Sequence, residues 1–333
     1  MKKTKLYLGF AALFFVICAS APEAFAQREI IQWIRAPLGK LPPIALYNMR
    51  YYGKENAEGQ NASLGMWEQS AAAALPIINQ PDQDLAVATF FSQRHLNTDA
   101  ILPERDVRLP ENLYNLLAGP LYRREFASGW IGGASLLLGS TSDKLFNSEH
   151  ELTVHADIYA RVPAKDENSW LFYVDVDNNR SFLRVYPIVP GAGYWYKPSK
   201  DLEMLIGAPA MYLNFAPSAN TEIKLMYIVT TDVHAKISYN LTERLKLYGV
   251  FDWDNEVFAR AGRETRRDKL CYYEKTLSAG LHWQVLKYAG VDLTGGYAFD
   301  RFFYEAKDYS HRGTDKVDFK DGPFVQIHVG VPF

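Results

Sequence analysis

The sequence predicts an all-β fold, a transmembrane antiparallel β-barrel preceded by a cleaved signal peptide. Three observations carry that reading: an export-type N-terminus, a period of two in hydrophobicity through most of the chain, and a last strand that ends on Phe333. Composition agrees. Of 333 residues, 48% are hydrophobic and 14% aromatic, with 21 Tyr and 19 Phe, side chains that suit pleated, half-buried surfaces and membrane–water boundaries. A formal net charge of -2 argues against a nucleic-acid partner, because neutralising phosphates takes a concentrated basic surface.

Met1 to Ala26 has the layout of a secretory signal. Lys2, Lys3 and Lys5 form the basic start, Leu6 to Ala19 the apolar run, and Ala24-Phe25-Ala26 a small-residue cleavage site before Gln27. The run is too short for a membrane anchor, which needs about 20 apolar residues. Ile17 before Cys18 lacks the small side chain that a lipoprotein signal wants. With Cys18 removed, Cys271 stands alone, so no internal disulfide is expected. Beyond Ala26 no stretch is long and apolar enough for a helical span. An exported chain of this kind is soluble or a closed barrel, the one other structure that satisfies every backbone group in lipid.

Residues 27–43 differ in character from the rest of the chain. Ile30, Ile31, Trp33 and Ile34 suit a short amphipathic helix before Pro42-Pro43, expected as a periplasmic N-terminal segment, either a lead-in or a partial plug. Residues 44–333 are expected to form the barrel. Leu152, Val154, Ala156 and Ile158 alternate with Glu151, Thr153, His155, Asp157 and Tyr159. Val233 to Tyr239 and Leu245 to Trp253 repeat the pattern. An apolar face against a charged one, strand after strand, describes a lipid-facing exterior and a polar lumen.

The turns resemble one another. Tyr159, Tyr196, Phe215, Tyr239 and Trp283 each precede a short polar turn, as in a periplasmic aromatic girdle. Longer polar stretches, Lys54 to Asn61, Leu96 to Glu111, Ser140 to His150, Arg260 to Lys269 and Ala306 to Gly322, are assigned to the outside. This gives about 14 strands, with 12 or 16 open. The ambiguity lies in Leu202–Phe215 and Thr221–Asn240, each one long strand or a hairpin turning at Gly207-Ala208-Pro209 or Thr230-Thr231-Asp232.

At the C-terminus Val325, Ile327, Val329, Val331 and Phe333 share one face. The strand is similar to the terminal strand read by the outer-membrane barrel assembly machinery, with Pro332 a departure that costs one ladder donor. The run Tyr186-Pro187-Ile188-Val189-Pro190-Gly191, then Tyr196-Lys197-Pro198, then Leu205-Ile206-Gly207-Ala208-Pro209 resembles an uncharacterised family of bacterial outer-membrane β-barrels, a porin-like domain of unknown function. The likeness covers mainly the second half of the chain. It implies a barrel in the outer membrane of a Gram-negative-type bacterium and brings no activity with it.

Candidate lumen-lining residues are set by the alternation: Glu151, His155, Asp157 and Arg161 on one strand, Asp175 and Asp177 on the next, and Asp252, Asp254 and Glu256 on a third. Carboxylates along a wet passage favour cations, unless Arg and Lys in the lumen pair with them. His155 and Asp157, with Asp175 or Asp177 across from them, have donors for a divalent ion, at a spacing commonplace in strands. His234 and Ser238 share an inward face two residues too far apart for a catalytic hydrogen bond, and no G-x-S-x-G or phosphate-binding loop occurs. His311 and Arg312 read as solvated loop residues. Arg260, Arg263, Arg266, Arg267 and Lys269 form a loop cluster that suits either lipopolysaccharide phosphates or plain solvation.

The expected function is passive passage or uptake of small polar solutes, with outer-membrane lipids and lipopolysaccharide around the barrel. No catalytic residue, cofactor or metal is expected. The alternatives are a closed structural or adhesive barrel with partner-binding loops, and an outer-membrane lipid-modifying enzyme.

Overall fold

Sixteen antiparallel strands close into a barrel in the computed structural model, which describes residues 33–332 apart from 42, 181–186, 230–231 and 288. The signal segment, Tyr186, Thr230, Thr231 and Phe333 lie outside the described residues. The strands are β1 (Ile44–Asn56), β2 (Ser63–Gln80), β3 (Gln83–Asn97), β4 (Asn112–Glu125), β5 (Ile131–Ser142), β6 (Leu152–Pro163), β7 (Ser169–Asp177) and β8 (Ile188–Ser199). They continue as β9 (Leu202–Ala208), β10 (Ala210–Ser218), β11 (Thr221–Ile228), β12 (Asp232–Asn240), β13 (Leu245–Phe258), β14 (Lys269–Leu286), β15 (Ala289–Ala306) and β16 (Gly322–Pro332). Each pairs with its neighbours in sequence, and β1 pairs with β16 from Ile44↔Pro332 to Tyr52↔Phe324. That last pairing leaves no free edge, as lipid requires. A short strand, Lys316–Phe319, extends the β15 ladder above β16.

The count of 16 corrects the expected 14. Both ambiguous stretches are hairpins: Leu202–Phe215 turns at Pro209, and Thr221–Asn240 turns between Ile228 and Asp232. Their strands have only seven to nine residues, too short to stand out against the 9–11 expected of a tilted span.

The alternation places side chains as the period of two demands. Ile158, Trp170, Phe172, Ile206, Ile237, Leu247, Leu277, Leu293, Val325 and Ile327 are exposed on the outside. Their inward neighbours, such as His155, Leu171, Leu205, Ser238, Tyr248, Thr276 and Phe324, are buried. Both termini of the described chain and the turns that follow the even-numbered strands share one rim, the terminus rim, where Phe126, Trp130, Trp170, Tyr239 and Trp283 are exposed. Tyr159 leaves this girdle. It is buried inside, with its ring edge-on to Trp33 at 5.5 Å.

The wall is not of even height. Strands β14 and β15 have 18 residues each, whereas β9 has seven. From the hairpin end at Ala208↔Ala192, β8 climbs four residues further to Ile188, and beyond Val233↔Trp253, β13 climbs five to Phe258. The low sector therefore sits at the loop rim, opposite the terminus rim.

Candidate functional site

In a barrel the interior is where chemistry can be held, and here much of it is packed. On the tall side, inward side chains of β1–β3 and β13–β15 form a charge network. Arg94 on β3 reaches across to Glu256 on β13, with two 2.8 Å hydrogen bonds, and donates at 3.0 Å to Glu68 on β2. Its guanidinium lies 4.2 Å from the centroid of the Tyr272 ring. Arg50 donates to Glu274 at 3.2 Å and to Gln326 at 2.7 Å. Tyr52 and Tyr272 donate to the two oxygens of Glu274 at 2.7 and 2.9 Å, and Arg301 donates to the Tyr272 hydroxyl at 3.2 Å. Arg50, Arg94 and Arg301 balance Glu68, Glu256 and Glu274 in charge, which is what burial of ions demands.

Above this network lies an apolar layer of Leu64, Met66, Leu96, Leu113, Phe258, Leu270, Phe303 and Phe319. The loop between β3 and β4 folds its small hairpin, Ile101–Leu102 with Val107–Arg108, onto the same layer and buries Leu102 and Leu109. Opposite walls then meet. Ala259, just past β13, donates its backbone N–H to Thr141 of β5 at 2.8 Å, and the Asn179 amide donates to the Val257 carbonyl at 2.6 Å. These contacts pinch the loop end.

The other end is narrowed by the N-terminal segment. Trp33 and Ile34 are buried against Tyr159, Leu171, Trp195, Leu205, Tyr212 and Met226, the inward side chains of β6–β11. Arg123 on β4 donates to the carbonyls of Trp33, Ala36 and Pro37 and pairs with Asp84 of β3 at 2.7 Å. Asp84 in turn accepts from the Gly39 N–H at 3.0 Å. Arg35 pairs with Glu203 at 2.6 Å, and Trp195 donates to the same carboxylate at 2.8 Å. These contacts hold the described part of residues 27–43, 33–41 and 43, against the inner wall, while Ile30 and Ile31 lie outside the described residues.

The candidate lumen-lining residues are mostly paired. His155, Asp157 and Asp177 are buried together: the imidazole lies 3.0 Å from Asp157 and 3.6 Å from Asp177, and Ser135 donates to Asp157 at 2.9 Å. Asp175 is bound by Arg180, and Arg161 donates to Ser169 at 2.9 Å. Asp252 pairs with His234 at 2.6 Å, Asp254 is buried beside it on β13, and Glu256 belongs to the Arg94 network. Glu151 stands outside the expected strand, in a 3-10 turn before β6, where Arg263 pairs with it at 3.3 Å. Pairing rather than a bare acidic wall is therefore the rule. Among the described residues no three His, Cys, Asp or Glu side chains converge to hold a metal ion.

Other residues singled out in the sequence are also occupied. Ser238 donates to the Glu222 carbonyl at 3.5 Å, away from His234. In the basic loop, Arg260 is buried on Glu305, while Arg266 and Arg267 are exposed. His311 pairs with Asp308 at 2.7 Å. The Arg94 network, the cross-lumen contacts and Arg123 have no signal in the sequence. They join residues far apart in the chain, and each of these residues reads alone as an ordinary inward charge.

No family model and no curated protein matches the chain. Among solved structures it is similar to an outer membrane channel from Pseudomonas putida F1, at 8% identity over 88% of this chain and 96% of that one, with a TM-score of 0.38. It is also similar to OccK7 from Pseudomonas aeruginosa (10%, 88% and 98%, TM-score 0.38) and to the translocator domain of the autotransporter NalP from Neisseria meningitidis (11%, 93% and 96%, TM-score 0.35). Likeness at this level is a likeness of barrels and carries no assignment of activity. The closed ladder and its apolar exterior decide the setting. The chain is an outer-membrane β-barrel.

Among the described residues, a strip along β11–β15 stays partly accessible inside the barrel. Glu222 and Lys224 are 3.0 Å apart, with side chains 31% and 41% exposed. Lys236 stands over the Tyr248 ring at 4.1 Å, and His234 and His282 are partly exposed beside Asp252 and Asp292. The strip is polar and mixed in sign.

Proposed function

We propose that the barrel passes small polar solutes along this strip, as a narrow conduit rather than a wide pore. The observation that carries the reading is the run of part-exposed, paired ions on β11–β15 inside a lumen otherwise packed. Paired charges keep a passage wet without a strong field, so ion preference is weak. In this orientation the loop rim faces outward, Arg266 and Arg267 meet lipopolysaccharide phosphates, and the β16 face of Val325, Ile327, Val329 and Val331 engages the assembly machinery on the way in. Residues 1–26 act as the signal, 27–43 as the periplasmic segment, and the barrel begins at Ile44.

Planar-bilayer recordings of the refolded protein test this reading. Small, stable steps with a reversal potential near zero in a salt gradient are expected. Asp252→Asn combined with Asp254→Asn should leave that potential where it was. Folded protein that never conducts would overturn passage in favour of a closed structural barrel. Strong cation preference abolished by the double substitution would instead reinstate an acidic wall.

A further inference from the structure

The polar strip carries ions of both signs in equal number but does not close them against one another. Lys224, Lys236 and Lys246 stand with Glu222, Asp252 and Asp292 on the inner face of β11–β15. Glu222 takes Lys224 at 3.0 Å. The other two carboxylates are bound by imidazoles, Asp252 by His234 at 2.6 Å and Asp292 by His282 at 3.1 Å. Among the described residues, Lys236 and Lys246 have no carboxylate within ion-pair distance. Asp232 and Asp254 lie higher on β12 and β13, where both are buried.

Lys236 is the clearest case. It is part-buried and faces Lys224 as its register partner, and like charges directly opposite in a sheet repel. Its ammonium lies 4.1 Å from the centroid of the Tyr248 ring, whose hydroxyl is turned to Thr294 at 2.6 Å. Asp292 is the carboxylate that acts most strongly on Lys236, without touching it. Asp292 in turn stands in one row with His282 and His328, its register partners on either side. An ammonium on β12 and a carboxylate on β15 thus act on the same space and are too far apart to pair. Buried ions are ordinarily paired, and here the pairing is left open. Room adjoins them. At the terminus rim Asn220, Asn240, Lys246, His282 and Gln284 help to line a recess of about 420 Å³, a volume that suits a small molecule. Lys246 and His282 belong to both recess and strip, so a solute entering there meets Asp292 and Lys236 next.

We propose that the strip takes small zwitterions, of which α-amino acids are the simplest, with the carboxylate on Lys236 and the ammonium on Asp292. The assignment rests on the passage reading above and narrows its solute. A lone anion drawn to Lys236 also meets Asp292, and a lone cation drawn to Asp292 also meets Lys236. A zwitterion answers both groups at once and brings no net charge, which agrees with a weak ion preference.

Saturation-transfer NMR on the refolded protein in detergent micelles reads binding whether or not the barrel conducts. The probes are alanine and its two single-charge counterparts, propionate and ethylammonium, each corrected for empty micelles. At neutral pH the alanine methyl signal should exceed the other two several-fold. Lys236→Met should bring alanine down to the ethylammonium level and Asp292→Asn to the propionate level, whereas Lys236→Arg should keep most of the advantage. In planar bilayers alanine should interrupt the open steps in a concentration-dependent way. Conducting protein that binds alanine no better than its counterparts, or an advantage that survives both substitutions, overturns the zwitterion site and leaves passage standing. Alanine binding by a barrel that never conducts would keep the site and overturn passage. Lys236→Met removes an ammonium that has no carboxylate partner, so folding should be undisturbed, and heat-modifiable migration on gels verifies it for each variant.

Discussion

Replacing Arg123 with Met should release the N-terminal segment and widen the terminus rim. Arg123 is 1% exposed and is the common holder of Asp84 and the carbonyls of Trp33, Ala36 and Pro37. Met fills much of the volume and supplies no donor. Asp84, itself fully buried, is then left as an ion with one backbone N–H for company. Breaking a buried pair from one side costs about 3–5 kcal/mol. Most of that cost can be relieved if the segment leaves and lets water reach Asp84, so the loss should appear as detachment rather than unfolding. The expected result is a barrel that still migrates as folded on an unheated gel. Its N-terminal segment becomes open to protease, and its conductance rises above the wild-type step. Arg123→Met with Asp84→Asn should recover part of the protection. A variant with unchanged protease resistance and unchanged conductance would show that Trp33 and Ile34 hold the segment by apolar contact alone.

The second large effect is expected at Arg94. Its guanidinium satisfies two carboxylates, Glu68 and Glu256, from opposite sides of the tall lobe. Arg94→Met leaves both without their counter-ion in a region sealed above by Leu64, Met66, Leu96 and Phe258. Here no segment can swing away to admit water. The penalty of about 3–5 kcal/mol should therefore fall on the barrel itself, read as a lower urea midpoint for unfolding from vesicles and a lower temperature for losing the fast-migrating band. Adding Glu68→Gln and Glu256→Gln should restore much of the loss, because neutral amides carry a smaller desolvation cost than ions. An unchanged midpoint in the single variant, or a triple variant worse than the single, would mean that the network fills space without its ion pairs mattering.

The sequence made the barrel legible for a specific reason. Outside and inside differ in polarity, so residues such as Ile158 and Asp157, or Leu247 and Tyr248, disclose their faces through alternation alone. Strand number was harder. The hairpins β9–β10 and β11–β12 turn within a few residues, and Ala208-Pro209-Ala210 interrupts an apolar run without the polar loop that marks the other reversals. The candidate carboxylates were identifiable as inward, but their partners were not. Arg94 and Glu256 are 162 positions apart, and closing a sheet into a ring brings them together through a geometry that no local pattern records. The N-terminal contact was half visible. Trp33 and Ile34 stood out as apolar, while the residue that clasps the backbone behind them lies on β4, among ordinary arginines.

Four inward aromatics lie flat over a glycine on the adjacent strand. In register these are Tyr159 on Gly133, Tyr173 on Gly191, Tyr248 on Gly280 and Phe324 on Gly296. A methyl group at any of these glycines would stand 2.1–2.6 Å from the ring. The rings therefore act as gauges of alignment. A strand that slips by two residues keeps its polar and apolar faces correct, so alternation cannot detect the error. The displaced ring of Tyr159, Tyr248 or Phe324 would, however, collide with a side chain where it should find bare backbone, whereas Tyr173 would meet Gly193 in one direction of slip. Such a chain can be checked for strand pairing at several points around its circumference as it assembles, before any loop has folded over the top.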